Sequence, residues 1–408
     1  MKKAGWLAVL ATAGLITGCG TSGSAVEGQF SVDKKIGGAQ IEGFPQPPVA
    51  LEIHMANEKT GWAVSAGNVF RTEDGGGHWI NALTFNYTDT MSPSELKPLD
   101  PAKLHTAYNG ADEIWVSEAV EAGISPYVVQ HTADGGRSGF KNWDTHSAPS
   151  AGEIQFVDSK HGWMLERMGG ATGNDIVGLN RTEDGGATWT RVSGNDKHDG
   201  SDTFPYAGLK SGVSFADAQH GFATGYLRDV EVPFFYRTDD GGKTWKQQDL
   251  PIRSATITTQ PPEFFNDGKD GVMAAVDGQE LNVTFLITHD SGQTWQATTP
   301  RPFQLRSLKD PAIEKNGLRI DMVYDFADAT RGWVMDQAED LYATQDGGAT
   351  WEAIPVPEDS ALKQAMNEKR VKQLDFVSDQ IGWALLVKPG GLGESIILKT
   401  EDGGHTWR

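Results

Sequence analysis

Thr182-Glu183-Asp184-Gly185-Gly186-Ala187-Thr188-Trp189 is one copy of a phrase that recurs along the whole chain. Close copies run from Thr72 to Trp79, Thr238 to Trp245, Thr288 to Trp295, Thr344 to Trp351 and Thr400 to Trp407. A weaker one, Thr132-Ala133-Asp134-Gly135-Gly136-Arg137-Ser138, lacks the Trp in register, and Trp143 is read as its substitute. The aspartates Asp74, Asp134, Asp184, Asp240, Asp290, Asp346 and Asp402 are spaced by 60, 50, 56, 50, 56 and 56 residues. Self-similarity at a near-constant period is the signature of a repeat architecture, each repeat being one supersecondary unit.

The chemistry of the phrase is that of a turn. Gly186 and its equivalents supply the positive φ that a hairpin connection needs, without a Cβ penalty. The carboxylate can accept from turn amides and from the neighbouring hydroxyl, closing the loop on itself. The Trp offers a large apolar plate for packing between units. These carboxylates are therefore read as structural staples and not as catalytic groups.

Upstream of each turn lies a second phrase, clearest in Ile154-Gln155-Phe156-Val157-Asp158 followed by Gly162-Trp163-Met164. Val213 to Ala223, Phe326 to Val334 and Leu374 to Ala384 repeat it, and Phe264 to Met273 does so with drift. Its alternating apolar residues predict two short strands joined by a turn. A third strand, such as Ile396-Ile397-Leu398, enters the Asp turn and a fourth leaves from the Trp. Four antiparallel strands in each of seven repeats predict an all-β, seven-bladed β-propeller over residues 45–408. The last repeat ends at Trp407-Arg408, so a strand within residues 29–36 is expected to complete the seventh blade and remove an open sheet edge.

The turn phrase resembles the Asp-box, or bacterial neuraminidase repeat, Ser/Thr-x-Asp-x-Gly-x-Thr-Trp. Together with the Gly-Trp-Ala strands, it makes residues 45–408 look like the photosystem II assembly and stability factor propellers and their relatives in non-photosynthetic bacteria. That resemblance implies a non-catalytic scaffold that binds a protein during assembly. Sialidases and xyloglucanases also carry Asp-boxes, so carbohydrate binding or sialidase-like glycoside hydrolysis at the propeller mouth is the alternative. Against it, Phe70-Arg71-Thr72 stands where the sialidase Arg-Ile-Pro signature would be sought.

The chain begins Met1-Lys2-Lys3, continues through an apolar run to Ile16, and reaches Thr17-Gly18-Cys19, its single cysteine. A cationic start and a short apolar core have the form of a secretory signal and are too short for a stable membrane span. Ile16-Thr17-Gly18-Cys19 resembles a lipoprotein lipobox. That resemblance implies residues 1–18 as a cleaved signal, a lipidated Cys19, and residues 19–44 as a tether to the outer face of the cell membrane. One cysteine also excludes an intramolecular disulfide. With 35 Lys and Arg against 55 Asp and Glu, the net charge is −20, which excludes nucleic acid as a natural partner.

Few residues remain for other chemistry. No phosphate-binding loop, His-Glu-x-x-His or Gly-x-Ser-x-Gly is present. His161 and His220 precede the strand glycine and read as turn residues, as do Asp158, Asp217, Asp267 and Asp328, with a cation at the channel mouth as the lesser option. Asp196, Asp199 and Asp202 have oxygen ligands that suit calcium, but their spacing is not that of an EF-hand. No cofactor is expected, and the protein is expected as a monomer that binds a protein or envelope polymer. Insertions at 90–112, 166–178, 194–206, 301–319 and 358–373 interrupt the repeat, and binding usually resides in such loops. The last is expected as a helix with Ala361, Leu362, Ala365 and Met366 on one stripe, either contacting a partner or covering a blade edge.

Overall fold

Each Asp turn is the connection between the third and fourth strands of a four-stranded antiparallel blade. The structure is a computed structural model that describes residues 46–47, 49–65, 68–84, 104–118, 128–144, 152–171, 173–197, 202–228, 230–303, 322–336, 338–389 and 394–408. Blade 1 comprises β1 (Ala50–Met55), β2 (Gly61–Ser65), β3 (Asn68–Thr72) and β4 (Ile80–Thr84). Blade 2 holds β5 (Leu104–Asn109), β6 (Glu113–Glu118), β7 (Val128–Thr132) and β8 (Lys141–Asp144). Blade 3 holds β9 (Glu153–Phe156), β10 (Gly162–Ala171), β11 (Asn174–Thr182) and β12 (Thr190–Gly194). Blade 4 is β13 (Leu209–Phe215), β14 (Gly221–Tyr226), β15 (Phe235–Thr238) and β16 (Lys246–Gln247).

Blade 5 departs from the pattern. Pro261 and Pro262, which have no N–H to give to a ladder, separate β17 (Ile257–Thr259) from β18 (Glu263–Phe265), and both pair with the long β19 (Asp270–Asp277). β17 also bridges to β14 at Thr258–Tyr226, fusing blades 4 and 5 into one sheet that continues through β20 (Asn282–Thr288) and β21 (Gln296–Ala297). Blade 6 is β22 (Val323–Phe326), β23 (Gly332–Met335), β24 (Leu341–Thr344) and β25 (Glu352–Ile354). After the helix α1 (Ala361–Met366), blade 7 contains β26 (Arg370–Phe376), β27 (Gly382–Val387) and β28 (Ser395–Thr400).

Seven apolar clusters occupy the seven seams between blades, and two aromatic positions of the repeat account for most of them. The Trp of each strong box packs against the preceding blade, as Trp189 does on blade 2 and Trp407 on blade 6. The strand-B Trp packs against the following blade and stacks on its strand-A Phe: Trp115 on Phe156 at 3.8 Å, Trp163 on Phe215 at 3.6 Å and Trp333 on Phe376 at 3.7 Å. The indole N–H then donates to the first box glycine carbonyl of that blade, at 2.7 Å for Trp115 to Gly185 and 3.0 Å for Trp163 to Gly241, whereas that of Trp62 in blade 1 has no partner among the described residues. A buried indole N–H needs such an acceptor.

The same lock closes the ring. Trp383 of blade 7 donates to the Gly75 carbonyl of blade 1 at 2.9 Å. Asp375 accepts from Met55 N at 2.5 Å, and Gln373 exchanges bonds with the main chain of Ile53. On the outer edge of β28, Arg408 pairs with the main chain of Lys399, and the Gln46 carboxamide pairs with the N–H and carbonyl of Ile397. The expected closing strand, residues 29–36, lies outside the described residues.

Two expectations need correction. Trp143 does not replace the missing box Trp of blade 2, because it packs on the blade 3 side against His131. Phe140 takes that place in the seam with blade 1. The extra residue is absorbed at Gly139, whose φ of 91° suits glycine, so that Phe140 immediately precedes β8 as Trp189 precedes β12. The helix expected over 358–373 spans only Ala361–Met366, capped by Ser360, which accepts from Lys363 N. From Arg370 the strand-A phrase takes over as β26, since Leu374 and Phe376 fill the seam with blade 6.

Candidate interaction face

Topology assigns the loops to two faces. The turns joining the first and second strands bond directly to the boxes, as Lys59 O accepts from Gly75 N and Lys160 O from Gly185 N. All Asp-boxes and all of these turns therefore share one face. The turns between second and third strands, and the connections between blades, share the other. Of the insertions foreseen from sequence, 166–178 and the described parts of 194–206 and 358–373 belong to that second face; 90–112 ends in β5 and the turn before β6 on the box face, and residues 90–103 and 304–319 lie outside the described residues.

On the box face the polar groups are consumed internally. In the third blade Asp184 accepts from Thr182 Oγ1, Thr188 N and Thr188 Oγ1 at 2.7 to 2.8 Å. Asp240, Asp290, Asp346 and Asp402 repeat this arrangement. Asp74 uses His78 Nδ1 in place of the second hydroxyl, and Asp134 accepts from Ser138 N. Partial burial pushes the Asp184, Asp240, Asp290, Asp346 and Asp402 carboxyls up, but the donated hydrogen bonds outweigh it and hold them below the usual carboxylate range. Asp158 and Asp217 each bond the following His N–H and ring, as the turn reading expects. Asp328 does the same with Arg331; burial opposes the Arg331 and Thr330 donors, and the net pKa falls to about 2. Asp267 sits in a 3-10 turn at φ 56°.

The proposed calcium carboxylates are Asp196, Asp199 and Asp202. Asp196 is engaged by Arg191 at 2.5 Å, Asp202 accepts from Lys197 N at 3.1 Å, and Asp199 lies outside the described residues, as does Cys19. Among the described residues no group of three or more His, Cys, Asp or Glu could hold a metal ion.

The insertion face carries built polar clusters that the sequence does not announce. Glu52 of β1 accepts from Thr106 at 2.6 Å and from Tyr108 at 3.1 Å. Burial raises its pKa against the opposing effects of Thr106, Lys372 and Tyr108. Arg167, on the long β10–β11 hairpin, bonds Glu153 at 2.8 Å and the carbonyl of Lys210 at 2.9 Å. Lys210 itself is buried, and its burial lowers the pKa to about 8 against the pull of Asp175. Glu339 receives Arg370 at 2.9 Å and Lys363 at 3.9 Å, pinning α1 between blades 6 and 7. The apolar stripe of α1 is used up in that seam, with Leu362 and Met366 buried, so it covers a blade edge.

The apolar seam between blades 2 and 3 also buries polar groups. Asn180 of β11 and Ser117 of β6 are 0% exposed between blades 2 and 3, and neither Asn180 amide atom nor Ser117 Oγ has a partner among the described residues. Phe70, Leu286 and Leu398 stand at the equivalent of Asn180 in blades 1, 5 and 7. No sequence signal separates Asn180 from an ordinary outward-facing strand residue.

Fold and repeat together define an Asp-box β-propeller. Residues 304–408 match the photosynthesis system II assembly factor YCF48 family, and residues 236–247 match the BNR/Asp-box repeat. The chain resembles that assembly factor family. Among solved structures, YCF48 bound to D1 peptide is 17% identical with a TM-score of 0.53, covering 88% of this chain and 94% of its own. YCF48 from Cyanidioschyzon merolae is 18% identical with a TM-score of 0.50, covering 89% and 98%. A GH74 xyloglucanase from Xanthomonas campestris is 14% identical with a TM-score of 0.54 over 90% of this chain, which spans 53% of that enzyme. A xyloglucanase of Paenibacillus sp is 26% identical over 140 residues, 29% of this chain and 13% of the relative.

Proposed function

We propose that this propeller is a non-catalytic protein-binding or assembly scaffold, exported and held by a lipid on Cys19 at the outer face of the cell membrane. The observation that carries the reading is the segregation of loops: the long β10–β11 hairpin and the described connections between blades share one face, while the opposite face spends its carboxylates on its own turns. A rigid ring with variable loops on one side is the usual form of a binding platform. The similar fold of YCF48 bound to D1 peptide supports protein as the kind of ligand. No helix among the described residues is long and apolar enough to cross a membrane; attachment through lipid rests on the Ile16-Thr17-Gly18-Cys19 sequence.

The alternative is carbohydrate binding or glycoside hydrolysis at the propeller mouth. It draws on Glu52, whose raised pKa is what a general acid requires. Its Tyr108 partner argues the other way, because burial and Glu52 push the phenol well above its ordinary range, away from a nucleophile. Detergent-solubilised cells carrying the anchored protein, with secreted Cys19→Ala as control, separate the two. Reproducible co-purification of one protein partner, undisturbed by Lys243→Trp on the box face, is the expected result. Retention on envelope polysaccharide, with cleavage that Glu52→Gln abolishes, would refute the scaffold.

A further inference from the structure

The outer side of the seam between blades 7 and 1 differs from its counterparts. In blades 2 and 6 the residue three before the box Thr pairs with an apolar residue of the fourth strand: Val129 with Trp143, and Leu341 with Ile354. That fourth-strand side chain then packs on the second box glycine of the next blade. A Cβ at Gly186 would meet Trp143 at 3.1 Å, and one at Gly404 would meet Ile354 at 3.5 Å. Ala82 of β4 stands in the same relation to Gly136, at 3.1 Å. In these three seams the box glycine of one blade is covered by an apolar side chain from the outer strand of the blade before it.

In blade 7 the counterpart of Val129 and Leu341 is Ile397, and among the described residues no fourth strand pairs with it. The Gln46 carboxamide bonds its N–H and its carbonyl instead, each at 3.1 Å. Across the seam, a Cβ at Gly76 of blade 1 would meet only the indoles of Trp383 at 3.3 Å and Trp79 at 3.6 Å. Beside it a cleft of about 250 Å³ opens on the box side, bounded in part by Gln46, Gly76, Gly77, Trp383, Ile397 and Arg408. Gly77 helps to keep it open, since the other boxes carry a side chain at that position, among them Ala187, Lys243 and Arg137. The volume falls below the roughly 300–1,000 Å³ of small-molecule sites and far above the ~30 Å³ of one water. It is the size for a single side chain.

The course of the chain names the occupant. β28 runs from Ser395 on the insertion side to Thr400 at the box. Ala50 N donates to Ser395 Oγ at 2.7 Å and Gln46 meets Ile397, so the chain, followed backwards from β1, descends along β28 towards the box face. The next large apolar residue in that direction is Phe44, outside the described residues. Phe44 and Gln46 each precede a proline, which favours extended backbone, and side chains two apart in an extended chain share a side. We propose that Phe44 seats in this cleft, in the role that Trp143 and Ile354 play in their seams, and that the tether from Cys19 leaves the ring on the box face. A closing strand within residues 29–36 is not required for that contact. With the lipid anchor of the proposed function, the insertion face then turns away from the membrane; that consequence rests on the anchored-scaffold reading, whereas the seating of Phe44 does not.

The test uses the full chain in its secreted Cys19→Ala form, which has no other cysteine. Phe44→Cys combined with Arg408→Cys should be joined by a thiol crosslinker of short reach, and the Arg408 main chain keeps its bonds to Lys399 in that variant. Phe30→Cys combined with Arg408→Cys, which samples the segment 29–36, should not be joined. In hydrogen exchange Phe44→Ser should speed the β28 amides by about tenfold, the effect of exposing one large apolar side chain. Phe44→Leu and Phe30→Ser should leave them protected. Crosslinking through residue 30 but not 44, no crosslink from either, or β28 exchange indifferent to Phe44→Ser would overturn the proposal. None of these readouts needs a lipid or a partner, so failure here leaves the scaffold standing, and failure of the cell pull-down leaves the seat of Phe44 standing.

Discussion

Among the described residues no connecting segment crosses the seam between blades 7 and 1, and side chains hold it. Trp383 is central to it: 1% exposed, hydrogen-bonded to the Gly75 carbonyl at 2.9 Å, with Lys399 5.4 Å from its ring centre. Trp383→Phe keeps most of the buried area but removes the N–H and strands a carbonyl acceptor, a loss of about 1–3 kcal/mol. Trp383→Ala adds a cavity and should cost about 3–5 kcal/mol. Trp163 offers a matched control, since it makes the same bond to Gly241 at 3.0 Å inside a covalently connected seam. Urea unfolding should report similar global losses for Trp383→Phe and Trp163→Phe. Hydrogen exchange followed by mass spectrometry should not. In Trp383→Phe the amides of β1 and β28 should exchange faster than the rest, because opening this seam parts the ring locally, whereas Trp163→Phe leaves β11 and β13 tethered by their connecting loop. Equal local protection in the two variants would show that ring closure resides elsewhere and refute the reasoning.

Asn180→Leu should raise stability by about 1–3 kcal/mol, read as the urea midpoint, since it replaces two unpartnered buried polar atoms with the residue that serves in blades 5 and 7. A loss would mean that the seam between blades 2 and 3 depends on its polarity. Gly242→Ala should cost about 1–3 kcal/mol, because φ is 93° and the new Cβ would meet Leu179 at 2.7 Å; an unchanged melting curve would count against the strain argument. Acid should unfold the ring cooperatively. The box carboxyls and Asp328 have folded pKa values below those of the unfolded chain, so their contribution is complete above about pH 4 and is lost as pH falls towards the Asp328 value of about 2. A urea midpoint that stays flat over that interval would contradict the assignment.

The blades were legible because their determinants are local. A Thr, an Asp, two glycines and a Trp within eight residues specify a turn, its closure and its plate, and the period then counts the blades. The departures came from tertiary competition. Ala361, Leu362, Ala365 and Met366 do mark a helix, but Leu374 and Phe376 are worth more in the seam with blade 6, so the helix stops short. Phe140 displaces Trp143 because a single extra residue, taken up at Gly139, restores the register of β8. Asn180 and Ser117 alternate with apolar neighbours as solvent-facing strand residues do, and only the packing of two blades reveals them as buried. The carbonyl cage around Lys210 was equally silent, since it joins the main chain of Tyr206 to Gly208 with that of Asp175, which stands 35 residues before Lys210.

The same ring serves proteins described as assembly factors and as xyloglucanases, so the ring cannot be what distinguishes them. Here the repeat itself removes most candidates: its aspartates, threonines and indoles are each committed to a turn or a seam, and a committed carboxylate has no lone pair or proton to lend. On the insertion face the described polar groups form two kinds of cluster. Glu52 and Tyr108 are held inward, half-buried and buried, and satisfy each other. Arg167 and Lys210 bond the main chain on either side of the blade 3–4 connection and fix it in place. Catalysis on a polymer would require the first pair to be open and poised, whereas a binding platform requires rigid loops of the second kind. Lys210 supplies rigidity there by donating to four main-chain carbonyls, at the cost of burying an ammonium.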